Sequence, residues 1–458
     1  MATPRRSARD ALVRSVRALP GEPTADVRHL AWRYTTIRFA NGRIREPFRE
    51  RSDRLSYRVA VGRQLGTATG ADPSSAGLSR LREAATGLAR VAPVEAKFPG
   101  FPEPGRRRPR ATAYSRSTAE ITPEAATRIA ERILAAAEAA APGGRIAGVV
   151  NIGSEELRVV NSSGLDRRGR TSVAQASVLV DRPDRDPPVS GWSEGAHWDA
   201  ARLDPDRLGR EAGERVAKTA PEAMPPGAYR VVLRGPALAD AFRYLAYLGF
   251  SGHGEDEGWS CLRHRRGRSV APPSVTLVDD PLTSQTLPQP IDYEGLPCRP
   301  VALIDRGRAG PAVTDIVTAA RLGRTSTGHG SLPEAPWGEE GPVPSHLLLS
   351  AGDASEEELV RETRRGLLVT RFHYVRVVDP GRGVITGMTR DGTYRIDHGE
   401  VVGPVRNLRF TESLLTMLKG IELLGRQRRI YSDERGGGCV TTPSASVRSF
   451  RFTSATLF

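Results

Sequence analysis

The chain has 458 residues and is 38% hydrophobic, so it is long enough to fold as two or three units that each bury a core. No apolar run approaches the length of a membrane span and no apolar segment follows the arginine-rich start, so neither a transmembrane helix nor a secretory signal is predicted. The three cysteines, Cys261, Cys298 and Cys439, are too few and odd in number for a disulfide framework, which favours the cytoplasm.

The net charge of +14 raises nucleic acid as a partner, because clustered cations gain from releasing the counterions around phosphate. The excess is almost wholly arginine and is spread along the chain. Its two densest clusters, residues 106–110 and 263–268, lie in predicted loops without interleaved aromatic side chains. Nucleic-acid binding is therefore not favoured, and a basic face that attracts an acidic peptide or a partner subunit is the better interpretation.

Residues 1–92 are predicted to form an N-terminal α/β unit of helices and hairpins. Residues 7–19 carry apolar side chains at helical spacing, and residues 74–88 repeat that pattern. Between them, Asn41-Gly42 is the strongest signal for a two-residue hairpin turn, joining strands at residues 36–39 and around Ile44. A second hairpin is predicted to bend at Gly62-Arg63 after a stretch of alternating apolar residues.

A linker rich in proline and arginine is predicted over residues 93–120, and a central α/β unit over residues 121–225. Thr122 and Pro123 begin a helix that an alanine-rich stretch continues to Ala141. The other predicted elements of this unit are strands at residues 146–150, 157–160 and 172–180, a turn at residues 161–164 and a helix at residues 204–219.

Residues 226–458 are predicted to form a C-terminal domain with many short strands. Its predicted helices are residues 236–248, 355–365 and 411–424, and its last predicted strand is residues 447–452. The chain lacks the regular alternation of strand and helix that is typical of a Rossmann fold or an α/β barrel. We expect an α+β fold, with antiparallel or mixed sheets and covering helices in the N-terminal part and a strand-rich C-terminal domain.

A series of short turn and strand motifs runs through the C-terminal half of the sequence. The motifs are residues 226–233, 276–281, Tyr293-Glu294-Gly295, Asp305-Arg306-Gly307, 322–328, 366–369, 391–396, Gly399-Glu400, Pro404-Val405-Arg406 and Gly436-Gly437-Gly438-Cys439. In this order and spacing they resemble the TldD/PmbA family, and the resemblance covers nearly the whole chain. It implies a pair of subunits, TldD, a zinc metallopeptidase, and TldE (PmbA), which lacks the catalytic motif.

The resemblance implies that the zinc-binding members carry His-Glu-x-x-x-His on one helix, with the glutamate as general base on the metal-bound water. This chain has no such string. When the Gly-His-Gly sequence around His253 is aligned with the motif's end, Leu248 and Gly249 stand where the first histidine and the glutamate are expected. Cys439 stands at the place of a third ligand. His253 and Cys439 are thus candidates for a vestigial metal site, with no catalytic residue and no metal or other cofactor assigned to this chain.

Both candidates have plainer interpretations, His253 as a loop histidine between glycines and Cys439 as a small packed residue. A different metal cluster of His253, Glu255, Cys261 and His264 is less favoured, because short polar loops often bring such residues together by chance.

The resemblance implies a TldE-like, non-catalytic subunit that pairs with a TldD-like metallopeptidase in a heterodimer or larger assembly. The partner would supply zinc, and the substrates would be unfolded or small peptides, including the precursors of peptide natural products. Two other interpretations stay open. One is an active metallopeptidase with a degenerate zinc site, and the other is a peptide-binding scaffold protein.

A set of polar residues is expected to border the peptide cleft. They are Asn161, Asp279, Asp280, Glu294, Arg324, Thr325 and Ser326. The structural alternatives are a turn at Asn161 and a capped helix end at Gly323.

Overall fold

The computed structural model describes residues 11–17, 22–105, 113–184, 188–331, 341–432 and 438–455. Two mixed or antiparallel sheets with helices packed on them confirm the predicted α+β fold. Residues 11–15 are helical, and the remaining helices are Ser75–Val91, Arg116–Ala119, Pro123–Ala140, Pro205–Glu214, Gly235–Phe250, Gly252–Asp256, Ile316–Arg321, Glu356–Thr363 and Leu414–Lys419, with a 3-10 turn at Ala200–Arg202. In these ranges no helix is long and apolar enough to cross a membrane.

The strands follow in chain order. They are β1 (Thr24–Ala40), β2 (Arg43–Ile44), β3 (Phe48–Val61), β4 (Gln64–Gly70), β5 (Arg145–Asn161), β6 (Asp166–Arg182), β7 (Val189–His197), β8 (Gly227–Leu233), β9 (Leu277–Asp279), β10 (Val301–Asp305), β11 (Arg308–Ala309), β12 (His346–Leu349), β13 (Gly366–Asp379), β14 (Val384–Asp397), β15 (Glu400–Pro404), β16 (Leu408–Ser413), β17 (Ile421–Leu424), β18 (Arg429–Ser432), β19 (Cys439–Thr442) and β20 (Ala445–Ala455).

Both predicted N-terminal hairpins are confirmed. Asn41 and Gly42 have φ angles of 53° and 69°, as a type I′ turn requires at both central positions, and Ala40 pairs with Arg43 across it. Val61 pairs with Gln64 across the second turn, where Gly62 has φ 61°. The predicted helix at residues 74–88 is Ser75–Val91, and the Ser74 side chain caps it by accepting from the Gly77 N–H. The predicted helix at residues 7–19 is described only over residues 11–17.

One strand of the central unit was predicted as two. β5 runs unbroken for 17 residues because it pairs along its length with β1 on one side and β6 on the other. Gly153 allows close approach of the backbones of β5 and β1, because a Cβ there would lie 1.9 Å from the Arg33 carbonyl oxygen. The strand β7 was not predicted.

The larger sheet has 13 strands in the order β11-β10-β9-β12-β19-β18-β7-β6-β5-β1-β3-β4, with β2 beside β1. It therefore joins strands from all three predicted units, and the boundaries at residues 92, 120 and 225 stay predictions. Helices Pro123–Ala140 and Pro205–Glu214 cover it, and their Ala130, Ile133 and Leu208 share a buried core with Val150 and Val178 of the sheet.

The second sheet has 7 strands and includes a closed ring of pairings, β13-β8-β20-β16-β14 and back to β13. Phe372, Phe410 and Phe450 pack together in its core, with ring centroids 4.6 to 5.5 Å apart. The predicted helix at residues 411–424 is wrong over most of its length. Only Leu414–Lys419 is helical. The residues before it belong to β16, which pairs with β14, and the residues after it belong to β17, which pairs with β20.

Candidate functional site

The positions at which the family's zinc motif is expected are part of the hydrophobic core. Leu248 lies in the last turns of helix Gly235–Phe250 and is 0% exposed. A Cβ at Gly249 would lie 2.8 Å from Cδ1 of Leu262. The segment that follows the helix seals this end, because Ser260 Oγ donates to the Gly249 carbonyl at 2.9 Å and the Cys261 N–H donates to the Leu248 carbonyl at 2.9 Å. A zinc ligand and a general base do not fit in this arrangement.

His253 and Cys439 lie in different surroundings. His253 is in the short helix Gly252–Asp256, and its ring centroid is 6.2 Å from that of Trp259. Cys439 begins β19 and is buried, with its Sγ accepting from the Leu287 N–H at 3.2 Å. No three His, Cys, Asp or Glu side chains of the described ranges are grouped so that they could hold a metal ion.

The alternative cluster around His253 is also not assembled there. Glu255 forms a bidentate ion pair with Arg324, with one N–O distance of 2.8 Å. Burial raises the pKa of Cys261 to about 11, so its thiol stays protonated near neutral pH. His264 is an exposed turn residue.

A buried carboxylate and histidine cluster forms where β9 meets β12. Asp279 Oδ2 lies 2.7 Å from His329 Nε2, and the same carboxylate accepts the Ser345 and His346 N–H groups at 3.2 and 2.7 Å. Although burial would raise it, the pKa of Asp279 is held below its ordinary value by His329 and His346. The pKa of His346 is lowered because burial disfavours its charged form. The cluster joins the segment around His329 and the start of β12 to β9 of the large sheet.

Two further buried carboxylates, Asp292 and Glu294, lie in a neighbouring turn. Asp292 accepts the N–H groups of Glu294, Leu296 and Gly330 at 2.8 to 2.9 Å. Glu294 accepts the N–H of Ile316, the first residue of helix Ile316–Arg321, at 2.9 Å. Burial raises the pKa of both carboxyl groups, and the negative charge of Asp315 raises that of Glu294 further.

Arginines from the N-terminal strands complete this network. Arg58 of β3 donates to both oxygens of Asp26 at 2.8 and 3.1 Å and lies 3.6 Å from Glu294. Arg28 of β1 donates to the Ser331 carbonyl at 3.1 Å, across 303 residues of chain. Asp26, Arg28 and Arg58 were not predicted, because the only signal for them in the sequence is their alternating position on β1 and β3.

Most of the other predicted cleft residues make local bonds. Asn161 Oδ1 accepts from the N–H groups of Ser163 and Leu165, and its Nδ2 donates to the Pro102 carbonyl. Asp280 Oδ1 accepts from the Leu282 N–H at 2.9 Å. Ser326 Oγ donates to the Thr314 carbonyl, and the carbonyl of Thr325 accepts from the Thr314 hydroxyl. Asn161 thus forms the turn of the structural alternative, and Gly323, with φ 65°, follows helix Ile316–Arg321 where the Arg324 N–H donates to the Ala319 carbonyl at 2.7 Å. Contact of these residues with a peptide stays a prediction.

Comparison with known families identifies the two larger parts of the chain. Residues 226–454 match the PmbA/TldA metallopeptidase C-terminal domain, and residues 116–219 match the PmbA/TldA metallopeptidase central domain. The chain belongs to the PmbA/TldD family.

Relatives of known sequence or structure agree with this membership. A metalloprotease from Methanothermobacter thermautotrophicus is 27% identical over 232 residues, 50% of each chain, and a TldD homologue of Buchnera aphidicola is 26% identical over 42% of this chain and 39% of its own. The chain thus spans about half the length of these relatives or less.

The crystal structure of TldE from Thermococcus kodakarensis matches with a TM-score of 0.84 at 20% identity, covering 98% of this chain and 100% of that one. A Thermotoga maritima structure described as a candidate modulator of a DNA gyrase matches with a TM-score of 0.81 at 21% identity, with the same coverage. At these identities the two structures show the fold alone.

In this PmbA/TldD family member, two cavities lie apart from the predicted cleft residues. One, of about 460 Å³, is lined by charged side chains, among them Glu211, Arg215, Arg234 and Glu356, beside the start of helix Gly235–Phe250. The other, of about 1080 Å³, lies between that helix and β13, and Leu248 is one of its lining residues.

Proposed function

We propose that this chain is a TldE-like, non-catalytic subunit of a metallopeptidase assembly, in which a TldD-like partner supplies the zinc. The observation that supports this proposal most is the pair Leu248 and Gly249. Leucine has no lone pair for a metal, glycine has no acid to take a proton, and both positions are enclosed by the 260–262 segment. Catalytic zinc needs three protein ligands and a base near its water, and the residues here do not fit that group.

The buried thiols and the charge distribution are consistent with the same role. Cys261, Cys298 and Cys439 are buried and form no disulfide, which suits a reducing compartment. The net charge of +14 would favour association with an acidic peptide or an acidic partner surface. The substrates in this proposal are unfolded or small peptides that the partner cleaves.

The test is reconstitution with a TldD-like protein from the same organism. We expect cleavage of an unfolded peptide by the mixture, little or none by this chain alone, and co-migration of the two chains on gel filtration. Equal cleavage by the partner with and without this chain, together with separate migration, would contradict the proposal. It would then leave a peptide-binding scaffold as the better interpretation.

Metal analysis separates the proposal from an active peptidase with a degenerate site. The purified chain should contain far less than one zinc per molecule. The variants Cys439→Ala and His253→Ala should leave both the metal content and the activity of the reconstituted mixture unchanged. Stoichiometric zinc that is lost together with activity in either variant would overturn the non-catalytic role.

A further inference from the structure

The cleft between helix Gly235–Phe250 and β13 is the larger of the two cavities, at about 1080 Å³. Aromatic side chains dominate its lining. They are Tyr244 and Tyr247 of the helix, Trp259 of the following segment, and Phe372 and Tyr374 of β13. The rings of Tyr247 and Trp259 lie with their centroids 5.2 Å apart and tilted by 50°, and thus form part of one wall. Such a wall offers faces and edges to a further ring.

Tyr374 is held in an unusual conformation at the rim of the cleft. Its φ of 51° lies in the left-handed region, which bulky side chains rarely adopt, and its side chain is 64% exposed. The pairing of β13 with β14 shifts register between His373 and Arg376, on either side of it. The fold therefore holds a strained residue with its ring largely in solvent. Strain of this kind often occurs where a ligand binds.

The charged lining residues give the cleft a positive excess. Arg243 and Arg376 bring two guanidinium groups to the lining, and Asp240, which pairs with Arg243 at 3.2 Å, brings one carboxylate. Arg376 donates to the Val375 carbonyl at 2.8 Å and lies 5.9 Å from the centroid of the Tyr374 ring. Tyr244 OH donates to the same carbonyl at 2.7 Å, which fixes the helix against the strand. A guanidinium has five N–H donors and favours a bidentate carboxylate.

From this lining we infer that the cleft binds the C-terminal residue of an extended peptide when that residue is aromatic. Its ring would lie against Tyr247, Trp259 and Tyr374, and its carboxylate would face Arg376. The choice of a peptide as the source of this ring and acid rests on the proposed function. The cleft itself belongs to this chain alone, so its binding can be measured without a partner.

The experiment uses the full chain and three short peptides: acetyl-Gly-Gly-Phe with a free carboxylate, its C-terminal amide, and acetyl-Gly-Gly-Ala. Calorimetric titration should show binding of the first, and at least about 10-fold weaker binding of the other two, as loss of a charged hydrogen bond or a buried ring predicts. Binding should change the tryptophan fluorescence in the wild type and not in Trp259→Phe. Equal affinity for all three peptides, or no binding of any to the folded chain, would overturn the inference.

Matched variants separate the cleft from general surface effects. Tyr374→Ser and Arg376→Gln should each weaken binding of acetyl-Gly-Gly-Phe about 10-fold or more. Val401→Ser, at a position 46% exposed on β15 of the same sheet, should leave it unchanged. Because Tyr374 and Arg376 are exposed, these variants should fold as the wild type does, which circular dichroism checks. An equal loss in Val401→Ser would contradict the assignment.

Two further measurements identify the occupant. If free 3-phenylpropionate binds as tightly as the peptide, the cleft takes small aromatic acids and the peptide inference fails. If the wild type is a dimer, Tyr374→Ser is a monomer and neither ligand binds, a second copy occupies the cleft and the inference also fails. Binding of the peptide by a chain that does not support cleavage by a TldD-like partner would uphold the cleft and contradict the proposed function instead.

Discussion

Gly249 stands where the resemblance places the general base of the zinc-binding members, and the neighbouring volume is already filled. Its missing Cβ would lie 2.8 Å from Leu262 and 3.8 Å from the sulfur of Cys261. A carboxylate there would be buried against the side chains of Leu262 and Cys261, which is costly unless the group is paired. The packing around Gly249 therefore disfavours a glutamate at this position.

Restoring the glutamate tests that packing. We expect Gly249→Glu to lower the free energy of unfolding by more than about 2 kcal/mol, because it adds both volume and a buried acid to the core. Leu248→Met, which nearly conserves volume, should cost less than about 1.5 kcal/mol. Urea unfolding followed by circular dichroism measures both. A Gly249→Glu chain as stable as the wild type would show that this end of the helix is open rather than packed.

Glu294 predicts a specific pH dependence. Its pKa is raised from the ordinary 4.5 to about 8, chiefly by burial and then by Asp315. Between pH 4.5 and pH 8 the native state therefore keeps a proton on Glu294 that the unfolded state has released. The contribution of Glu294 to the free energy of unfolding falls as the pH rises from about 4.5 towards 8.

The variant Glu294→Gln should remove this decline while keeping an oxygen that can accept the Ile316 N–H. The free energy of unfolding of the variant, relative to the wild type, should increase by about 1 kcal/mol or more between pH 5 and pH 8. The exposed Glu83→Gln serves as control, and the difference between its free energy of unfolding and that of the wild type should not change with pH. A difference curve for Glu294→Gln that stays flat or falls between pH 5 and pH 8 would show that Arg58 and Arg28 keep the carboxylate ionised.

At the scale of single elements, the sequence predicts best what is local. The helices Ser75–Val91 and Pro123–Ala140 agree with the predicted ones to within a few residues, because the apolar spacing of the first and the Thr122-Pro123 start of the second are local signals. The predicted strands are shorter than the observed ones, since β1 and β5 also pair with each other across more than 100 residues of chain, which no local pattern indicates. No local pattern indicates the contacts of the buried ionic network from Arg58 to Glu294 and from Arg28 to Ser331, because these residues are far apart in the chain.

A glycine at the contact between the two helices of the central unit is predicted to be required for their close packing. Gly209 lies where helix Pro205–Glu214 crosses helix Pro123–Ala140, and a Cβ there would lie 2.2 Å from the Ile133 carbonyl oxygen. Gly209→Ala should therefore cost about 1–3 kcal/mol through overpacking. Gly87→Ala is the matched control, in an exposed helical position with nothing within 4 Å, and should stabilise the chain by about 0.5–1 kcal/mol. Thermal unfolding of the two variants should shift in opposite directions, and a neutral Gly209→Ala would contradict this close helix contact.

For the whole molecule, the predicted units are joined by a shared sheet and by an ionic network. The large sheet passes from β7 to β18 through a single paired position, Ala196 with Ile430. Beside that junction, Glu211 of the central unit contacts Arg429 of the C-terminal domain at 2.7 Å and its neighbours Arg207 and Arg215 at 3.2 Å each. No feature of the sequence identifies this pairing, because Glu211 and Arg429 are 218 residues apart.

Removing the central acid should loosen this junction. Burial alone would raise the pKa of Glu211, but Arg215, Arg429 and Arg207 lower it to about 2, so its charge stabilises the native state above pH 4.5 and that contribution is lost as the pH falls towards 2. We expect Glu211→Gln to cost about 3 kcal/mol or more at pH 7, because it leaves Arg215 buried without its ion-pair partner. Glu214→Gln, on the same helix with Arg210 4.0 Å away at the surface, should change stability by less than about 1 kcal/mol.

Urea unfolding at pH 7 and at pH 3 measures both effects, and the difference between wild type and Glu211→Gln should shrink at the lower pH. An equal difference at both pH values would mean that Glu211 acts through its hydrogen bond from Ser193 and not through its charge.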